Sequence, residues 1–289
     1  MSQRGVTGII GRLSLKNDYL FQRMFGEEES KPILIGLLNA ILSRQGSEAI
    51  QDVKVLRSRR LTRKLMHDKE AVQDILCETI SRERINVEMQ VRREPHMEKR
   101  SMFYLARLFT GTLGKGKDYQ HLKKTIVINL LDYRMFPFEH FHSTFHLYEG
   151  RDRQYRLTDL WELHFIEFAK FRKTAFDMND PLHRLLKYMD ESISEDQLKE
   201  LIEMDATIRT AEQRLTELSR DEETRLYYEA REKGIRDEVT RINAAREEGE
   251  RIGERQIVQG MLRNGVDVET IVRMTGLSLE RVRDMIDAE

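Results

Sequence analysis

The sequence predicts an α/β fold, a mixed sheet flanked by helices, followed by a charged all-α C-terminal region. Three observations lead to this prediction. Short apolar runs with alternating or β-branched residues recur through the first part of the chain, between stretches of helical period. After Phe171 the chain becomes highly charged and helical in pattern. Proline is scarce, at 4 of 289 residues, and charged residues make up 34%, which favours long solvated helices.

The bulk composition excludes several classes of protein. A net charge of −1 implies no particular partner, so a nucleic-acid binder would have to concentrate its basic residues locally. No apolar run approaches the ~20 residues of a membrane helix, and the start has no signal-peptide pattern. The one cysteine, Cys77, lies in the apolar run "DILC" and is predicted to be a buried, inert thiol. We therefore expect a soluble cytoplasmic protein without a membrane partner.

Two helices are predicted before the first strand. The first runs through "DYLFQRMFG", with Asn17 or Ser14 as N-cap and Gly26 at its end. The second runs through "SKPILIGLLNAIL", with Ser30 as a candidate N-cap.

A basic run follows, with seven basic residues against one acid between Lys54 and Lys69. This local surplus on a neutral protein could contact DNA phosphates, or it could be an exposed hairpin whose charges face water. The candidate DNA-binding residues are Arg57, Arg59, Arg60, Arg63 and Lys64, and Arg92, Arg93, Lys99 and Arg100 would extend the same surface.

The segments "VQDILCE" and "RINVEMQV" predict a hairpin of two strands. On the second strand Asn86, Glu88 and Gln90 share the polar side. Asp74 is unusual, because it interrupts an apolar strand and acids are depleted from strands. If the two strands pair, Asp74 and Glu88 can approach each other, and a divalent cation would relieve the repulsion between their carboxylates.

Carboxylates and water are ligands that suit Mg²⁺ or Mn²⁺. A metal held in this way promotes phosphodiester hydrolysis, and Gln90 could hydrogen-bond the attacking water without supplying positive charge. The alternative interpretation is an ordinary strand on which Glu88 and Gln90 simply face water.

The next segments predict one helix and three strands. From Glu98 the period is helical, and one face of this helix would carry Met102, Leu105, Leu108, Phe109 and Leu113. The segment "TIVINLLDY" is continuously apolar and typical of a central strand covered on both faces. The segments "FHSTFHLYE" and "WELHFIEF" are further strand candidates.

Two polar groups in these strands have competing interpretations. His140, His142 and His146 cluster as zinc ligands can, but without a cysteine an ordinary amphipathic strand is the better interpretation. Glu167 and Lys170 are expected to form a structural pair near the end of a strand, and the alternative is a role as distant residues of the site.

The C-terminal part is predicted to be entirely helical. Long charged helices break near Ser219–Asp221, and three short helices follow, with a turn at Gly265 and Ser278 as an N-cap. The tail resembles a helix-turn-helix, either a DNA reader or a module for packing or dimerisation. The charged helices could pair with another subunit, so a homo-oligomer through the C-terminal helices is possible.

The ordered series "NDYLFQRMFG", "LLNAIL", Asp74, "INVEMQ", "EKRSMFYLARLF" and "LHFIEFAKF" resembles the Rpn family of recombination-promoting nucleases, transposase-type members of the PD-(D/E)XK nuclease superfamily. The similarity runs from about Lys16 to Phe171 and continues more loosely into the tail. It implies a restriction-endonuclease-like domain over residues 1–175, a charged helical region over 176–253 and a small helical tail over 254–289.

The resemblance also implies roles for individual residues. Asp74 and Glu88 would bind the metal, with the carbonyl of Met89 as a further ligand. Gln90 stands where the wider superfamily usually has lysine. Asp18 matches a recurring acid that would complete the site, and Lys69 matches a basic position that would touch the scissile phosphate.

The resulting hypothesis is a Mg²⁺- or Mn²⁺-dependent DNA endonuclease, linked by the family to recombination or mobile elements. The alternative is a catalytically weak or inactive module on the same scaffold, which binds DNA or another protein.

Overall fold

The computed structural model describes residue 9 and residues 11–57 and 75–287. The chain forms two compact units, Met1–Arg231 and Glu232–Glu289. The division into residues 1–175, 176–253 and 254–289 remains a prediction about the functional parts of the chain.

The described residues of the first unit form a six-stranded mixed sheet. The strands are β1 (Val53–Arg57), β2 (Ile75–Thr79), β3 (Arg84–Gln90), β4 (Thr125–Leu131), β5 (His142–Phe145) and β6 (Trp161–Glu167). Their order across the sheet is β1-β2-β3-β4-β6-β5. Strands β3, β4 and β6 run parallel, whereas β1–β2, β2–β3 and β5–β6 are antiparallel pairs. The predicted mixed sheet is therefore confirmed.

Strand β4 lies between β3 and β6, and every one of its seven residues is buried. The continuous apolar sequence "TIVINLL" produces this, because a strand covered on both faces needs no polar side. The prediction of a central strand is confirmed, and Asn129 is its one interior polar exception.

Helices surround the sheet. They are α1 (Asp18–Phe25), α2 (Lys31–Ile41), α3 (Met97–Thr110), α4 (Phe168–Phe171), α5 (Pro181–Met189), α6 (Glu195–Met204), α7 (Ala206–Arg220) and α8 (Glu222–Arg263), and short 3-10 turns occupy Glu28–Ser30, Gly46–Glu48 and Tyr119–His121. Asn17 caps α1, since its Oδ1 accepts a hydrogen bond from the backbone NH of Leu20 at 3.2 Å. Ser30 occupies the N-cap position of α2, but its hydroxyl instead donates to the carbonyl of Arg23 at 3.1 Å.

One face of the sheet carries the main core. Val87 of β3 and Ile128 of β4 pack there with apolar residues of α1, α2 and α5–α7. Helices α2 and α7 approach closely at Gly36, where an added Cβ would lie 2.3 Å from Cγ2 of Thr207. Glycine at this position is what allows the two helices to pack at this distance.

Helix α3 packs on the opposite face of the sheet, through Met97 with Leu131 and Phe165. Its buried positions are Met97, Ser101 and Leu105, whereas Met102 is 56% exposed. The predicted apolar face is therefore wrong at Met102, although Leu105 is buried as predicted, and a serine points inward. The physical reason is a buried hydrogen bond from Ser101 Oγ to Asn129 Oδ1 of β4, at 3.0 Å.

The turn between β2 and β3 is closed by polar groups. The Thr79 hydroxyl accepts a hydrogen bond from the NH of Glu83 at 3.1 Å, and the NH of Arg82 donates to the Thr79 carbonyl at 2.9 Å. Arg82 has a φ of 65°, in the left-handed region that glycine adopts most easily. The turn thus forms without a glycine.

The second unit contains the C-terminal end of α8, followed by α9 (Val268–Thr275) and α10 (Leu279–Asp287). Its small core contains Val258, Ile271, Val282 and Met285. The predicted break near Ser219–Asp221 is confirmed. Of the three short helices predicted for the tail, α9 and α10 are present, whereas the first is the C-terminal end of the 42-residue α8. Ser278 Oγ accepts a hydrogen bond from the NH of Arg281 at 3.2 Å. In the part of the chain that the structure describes, no helix has the length and hydropathy to cross a membrane.

Candidate active site on strand β3

Strand β3 divides its side chains between two environments. Val87 faces the main core, while Asn86, Glu88 and Gln90 share the other face, on which α3 packs. The alternation of "INVEMQ" predicts this division. The three polar side chains are thereby brought together, as expected.

The carboxylate of Glu88 is the most deeply placed acid on this face, with the residue only 1% exposed. Asn86 Nδ2 donates to its Oε1 at 3.2 Å, and Gln90 Nε2 lies at the hydrogen-bond limit of 3.5 Å from its Oε2. Arg100 of α3 reaches the same oxygen, with Nη2 at 3.7 Å. Burial of a carboxylate is costly unless neighbouring groups compensate it, and these contacts do so in part.

A second polar row continues from β3 to β4. Glu88 is paired in register with Asn129, which is fully buried. Ser101 Oγ donates to Asn129 Oδ1 at 3.0 Å, and Asn129 Nδ2 donates to the carbonyl of His164 at 3.2 Å. The interpretation of β4 as purely apolar missed this row, although a single asparagine in "TIVINLL" was a visible signal.

An open cavity of about 510 Å³ lies where β3 and β4 end. It is lined by residues that follow β3 and β4, among them Arg93, Glu94 and Tyr133. Burial raises the pKa of the Tyr133 phenol to about 12, so the hydroxyl remains protonated near neutral pH. The cavity is large enough for part of a ligand.

A charged cluster connects the N-terminal segment to the same end of the sheet. Lys16 is buried, and its Nζ lies 3.0 Å from Asp132 Oδ1 and 3.6 Å from Asp190 Oδ2. Arg172 Nε also contacts Asp190 Oδ2, at 2.7 Å. Burial alone would raise the pKa of Asp190, but Lys16, Ser192 and Arg172 outweigh it and lower the pKa to about 2.

Asp18 begins α1, two residues after Lys16 of this cluster. Its carboxylate is paired with the guanidinium of Arg231 on α8, whose Nε lies 2.8 Å from Oδ1 and 2.6 Å from Oδ2. No local pattern in the sequence indicates this pair, since its members are 213 residues apart.

Several predicted residues lie outside the described residues, namely Asp74, Lys69, Arg59, Arg60, Arg63 and Lys64. Arg57 ends β1 at the edge of the sheet, where its backbone pairs with Leu76. Within the described ranges, no three His, Cys, Asp or Glu side chains are grouped to hold a metal ion.

The described part of the site nevertheless has the donor chemistry of a hard cation. Glu88 offers a carboxylate and Gln90 a carboxamide oxygen on one strand face. Oxygen donors of this kind suit Mg²⁺ and Mn²⁺. Glu88 and Gln90 therefore offer oxygen donors of the kind that a divalent metal takes.

His142 and His146 each lie within hydrogen-bond distance of another side chain, whereas His140 is stacked on a phenylalanine. His142 Nε2 lies 3.0 Å from His164 Nδ1, His146 Nδ1 lies 2.7 Å from Arg156 Nη2, and His140 stacks on Phe138. His140 and His142 therefore have different partners, which agrees with the interpretation of an ordinary strand.

Two other expectations are confirmed. Glu167 and Lys170 form a buried ion pair, and Glu167 also accepts a hydrogen bond from the NH of Phe136 at 3.3 Å. Cys77 is buried, and burial raises the pKa of its thiol to about 12, as expected of an inert cysteine.

Two family models match the chain. A PD-(D/E)XK nuclease family transposase model matches residues 15–245, which include β3 and every described helix of the first unit. A model of the C-terminal helix-turn-helix domain of the Rpn/YhgA-like nuclease family matches residues 254–285. No curated protein and no solved structure matches the chain.

Proposed function

This chain belongs to the PD-(D/E)XK nuclease family transposases, and from that premise we propose that it is a metal-dependent DNA endonuclease that acts in recombination or on mobile elements. In the proposed reaction a water oxygen bonds to phosphorus as the bond from phosphorus to one sugar oxygen breaks. A phosphomonoester and a hydroxyl result, with protons exchanged with solvent. The observation that carries the proposal is the buried carboxylate of Glu88. It lies beside the amides of Asn86 and Gln90, on the face of the sheet on which α3 packs.

We assign Asp74 and Glu88 as the ligands of Mg²⁺ or Mn²⁺, with the Met89 carbonyl as an additional donor. Ile75 pairs with Val87 in the β2–β3 ladder. The proposal extends this register by one residue, which would set Asp74 opposite Glu88 on the same face. When bound, such a cation polarises the phosphoryl oxygen, activates the attacking water and neutralises charge on the leaving oxygen.

The remaining site residues act on water and phosphate. Gln90 orients the attacking water through its carboxamide, which can donate and accept hydrogen bonds. Lys69 is assigned to the scissile phosphate. We assign Asp18 as a further acid of the site. Its carboxylate would then take part in the reaction while it is paired with the guanidinium of Arg231.

DNA is the proposed substrate and partner. The residues assigned to its phosphates are Arg57, Arg59, Arg60, Arg63 and Lys64. The helix-turn-helix match over residues 254–285 supports a second contact with DNA.

A homo-oligomer through the C-terminal helices is also proposed. Val239, Ile242 and Ile252 of α8 are 41%, 54% and 48% exposed, and Val239 and Ile242, three residues apart, share one face of the helix that could pair with another chain. The proposed compartment is the cytoplasm, a reducing environment that suits the single thiol.

Plasmid nicking tests the function. Supercoiled plasmid is incubated with Mg²⁺ or Mn²⁺ and wild-type protein, Asp74→Ala or Glu88→Gln, with the surface variant Asp159→Asn as the matched control. We expect the wild type and Asp159→Asn to nick at the same rate, and the two site variants to lose at least about 10²-fold. Equal nicking by all four would indicate a contaminating nuclease and end the proposal.

A binding measurement separates the second candidate, a weak or inactive DNA-binding or protein-interaction module. It is favoured by Gln90, because a neutral amide cannot supply the charge of a lysine. Retention of DNA in a gel-shift assay, without nicking under any metal condition, would select this candidate instead.

A further inference from the structure

The polar face of β3 brings no positive charge of its own to the proposed site. Phosphodiester hydrolysis builds negative charge on the phosphoryl oxygens in its transition state, and fixed cations or donors stabilise that charge. Gln90 is uncharged, so any positive charge beyond that of the metal and Lys69 comes from another element of the fold. Sequence separation hides such a group, since it need not lie near Glu88 along the chain.

Arg100, in the first turn of α3, points its guanidinium at this face of the sheet. Its Nη2 lies 3.7 Å from Glu88 Oε2, and its Nη1 is paired with Glu94, a residue that lines the cavity of about 510 Å³. The guanidinium carbon lies 5.5 Å from the ring centre of Tyr104, a cation–π contact. Arg100 thus connects the buried carboxylate to the wall of the cavity.

The guanidinium of arginine is always protonated in proteins, and the surroundings of Arg100 leave it donor capacity. Within the part of the chain that the structure describes, its Nε is buried without a hydrogen-bond acceptor. A planar guanidinium with a spare N–H matches the geometry of a phosphate, which accepts hydrogen bonds in pairs.

We propose that Arg100 is a catalytic residue of this nuclease, whose guanidinium contacts the scissile phosphate and supplies the positive charge that Gln90 cannot. The inference rests on the proposed function. A cation bound to Glu88 would weaken the attraction between that carboxylate and Arg100 Nη2. Nη2 would then be free to donate a hydrogen bond to a phosphate oxygen.

A purely structural role makes the opposite prediction for metal binding. If Arg100 only holds Glu88 in position, its loss would disorder the carboxylate and weaken binding of Mn²⁺. If it is a fixed cation beside a metal ligand, its removal abolishes a repulsion and strengthens that binding. Metal affinity therefore separates the two roles independently of cleavage.

The experiment uses the full chain with Arg100→Met, Arg100→Lys and the control Arg107→Met, which removes an exposed arginine two turns further along the same helix. Plasmid nicking gives kcat, and isothermal titration with Mn²⁺ alone gives Kd. For Arg100→Met we expect kcat to fall about 10²-fold while Mn²⁺ binds several-fold more tightly. Arg100→Lys keeps the charge but not the planar fork, so we expect about a tenfold loss of kcat and an unchanged Kd. Arg107→Met should match the wild type in both.

The outcomes are decisive. Arg100→Met with wild-type kcat, or with weaker Mn²⁺ binding, overturns the catalytic role while the nuclease function stands. If Arg100→Met does not fold, Arg100→Lys decides, and wild-type kcat or lost metal affinity in that variant overturns the role. A wild-type protein that neither nicks DNA nor binds Mn²⁺ overturns the proposed function itself, and the inference with it.

Discussion

Asn86 and Glu88 lie two residues apart on one strand, and the amide of the first donates a 3.2 Å hydrogen bond to the carboxylate of the second. Neighbours at this spacing share a face of a strand. Both residues are almost fully buried. The amide therefore compensates a buried charge next to the position at which a cation is proposed.

Replacement of Asn86 by aspartate reverses this compensation. Two carboxylates would then lie at about hydrogen-bond distance in a buried environment, and we expect the metal-free variant to lose about 2 kcal/mol of unfolding free energy. A divalent cation relieves the repulsion, so Mn²⁺ should raise the Tm of Asn86→Asp more than that of the wild type. Differential scanning fluorimetry with and without Mn²⁺ measures both. Asn86→Ala is the matched control, and an equal Mn²⁺ response in the two variants would argue against a cation at this face.

Variants of the Asp18–Arg231 ion pair separate the contribution of Asp18 to stability from its role in DNA nicking. Since the two side chains are 14% and 38% exposed, we expect a coupling of only about 0.5–1 kcal/mol in a double-mutant cycle with Asp18→Asn and Arg231→Met. Urea unfolding of the four proteins measures the coupling.

Nicking by the same proteins assigns Asp18. As a site acid, Asp18→Asn should lower nicking at least about tenfold, while Arg231→Met should leave it near the wild-type rate. Equal effects of the two variants on nicking would mean that Asp18 serves only to hold α8.

The parts of the fold that could be predicted are those that local pattern determines. The period of two along "INVEMQ" gives β3 and its polar face, and the unbroken apolar run gives β4 as a central strand. The face of α3 could not be read in this way. Met102 is apolar but exposed, because Ser101 takes the inward position to bond Asn129 across the helix–sheet interface.

The same distinction applies to the candidate site. Glu88 and Gln90 follow from their own strand, whereas Arg100 belongs to another element and reaches Glu88 only after α3 has packed. Its basic character in the sequence suggested an exposed DNA contact. Tertiary structure, which no local period encodes, brings it to the carboxylate instead.

The hairpin turn gives a prediction about stability. Arg82 is exposed and holds a left-handed φ of 65°, which costs an L-residue about 1–2 kcal/mol. Arg82→Gly removes that cost, although glycine loses more backbone entropy on folding, so we expect a net gain of about 0.5–1 kcal/mol. Urea unfolding measures it. Arg82→Ala keeps a Cβ and should show no such gain, and equal stability of the two variants would contradict the strain.

The carboxylate of Asp190 is expected to stabilise the folded protein at neutral pH and to lose that effect in acid. This carboxyl is 2% exposed and contacts Lys16, Arg172 and the NH of Ser192. Its pKa is lowered in the folded protein to about 2, from an ordinary value of 3.8. A depressed pKa means that the folded state binds the proton less readily than the unfolded state does. The contribution of Asp190 is therefore complete above about pH 4 and is lost as the pH falls toward 2.

Replacement of Asp190 by asparagine tests this sign directly. At pH 7 we expect Asp190→Asn to be less stable than the wild type by about 2 kcal/mol, the linkage value for a shift of this size. At pH 2.5 the difference should shrink to well under half, because the wild-type carboxyl has by then lost most of its advantage. Urea unfolding at the two pH values gives the comparison, with Asp159→Asn as the exposed control. A difference that stays constant between pH 7 and pH 2.5 would mean that Asp190 stabilises the fold through its shape and hydrogen bonds, and that its charge does not hold Lys16 and Arg172 in place.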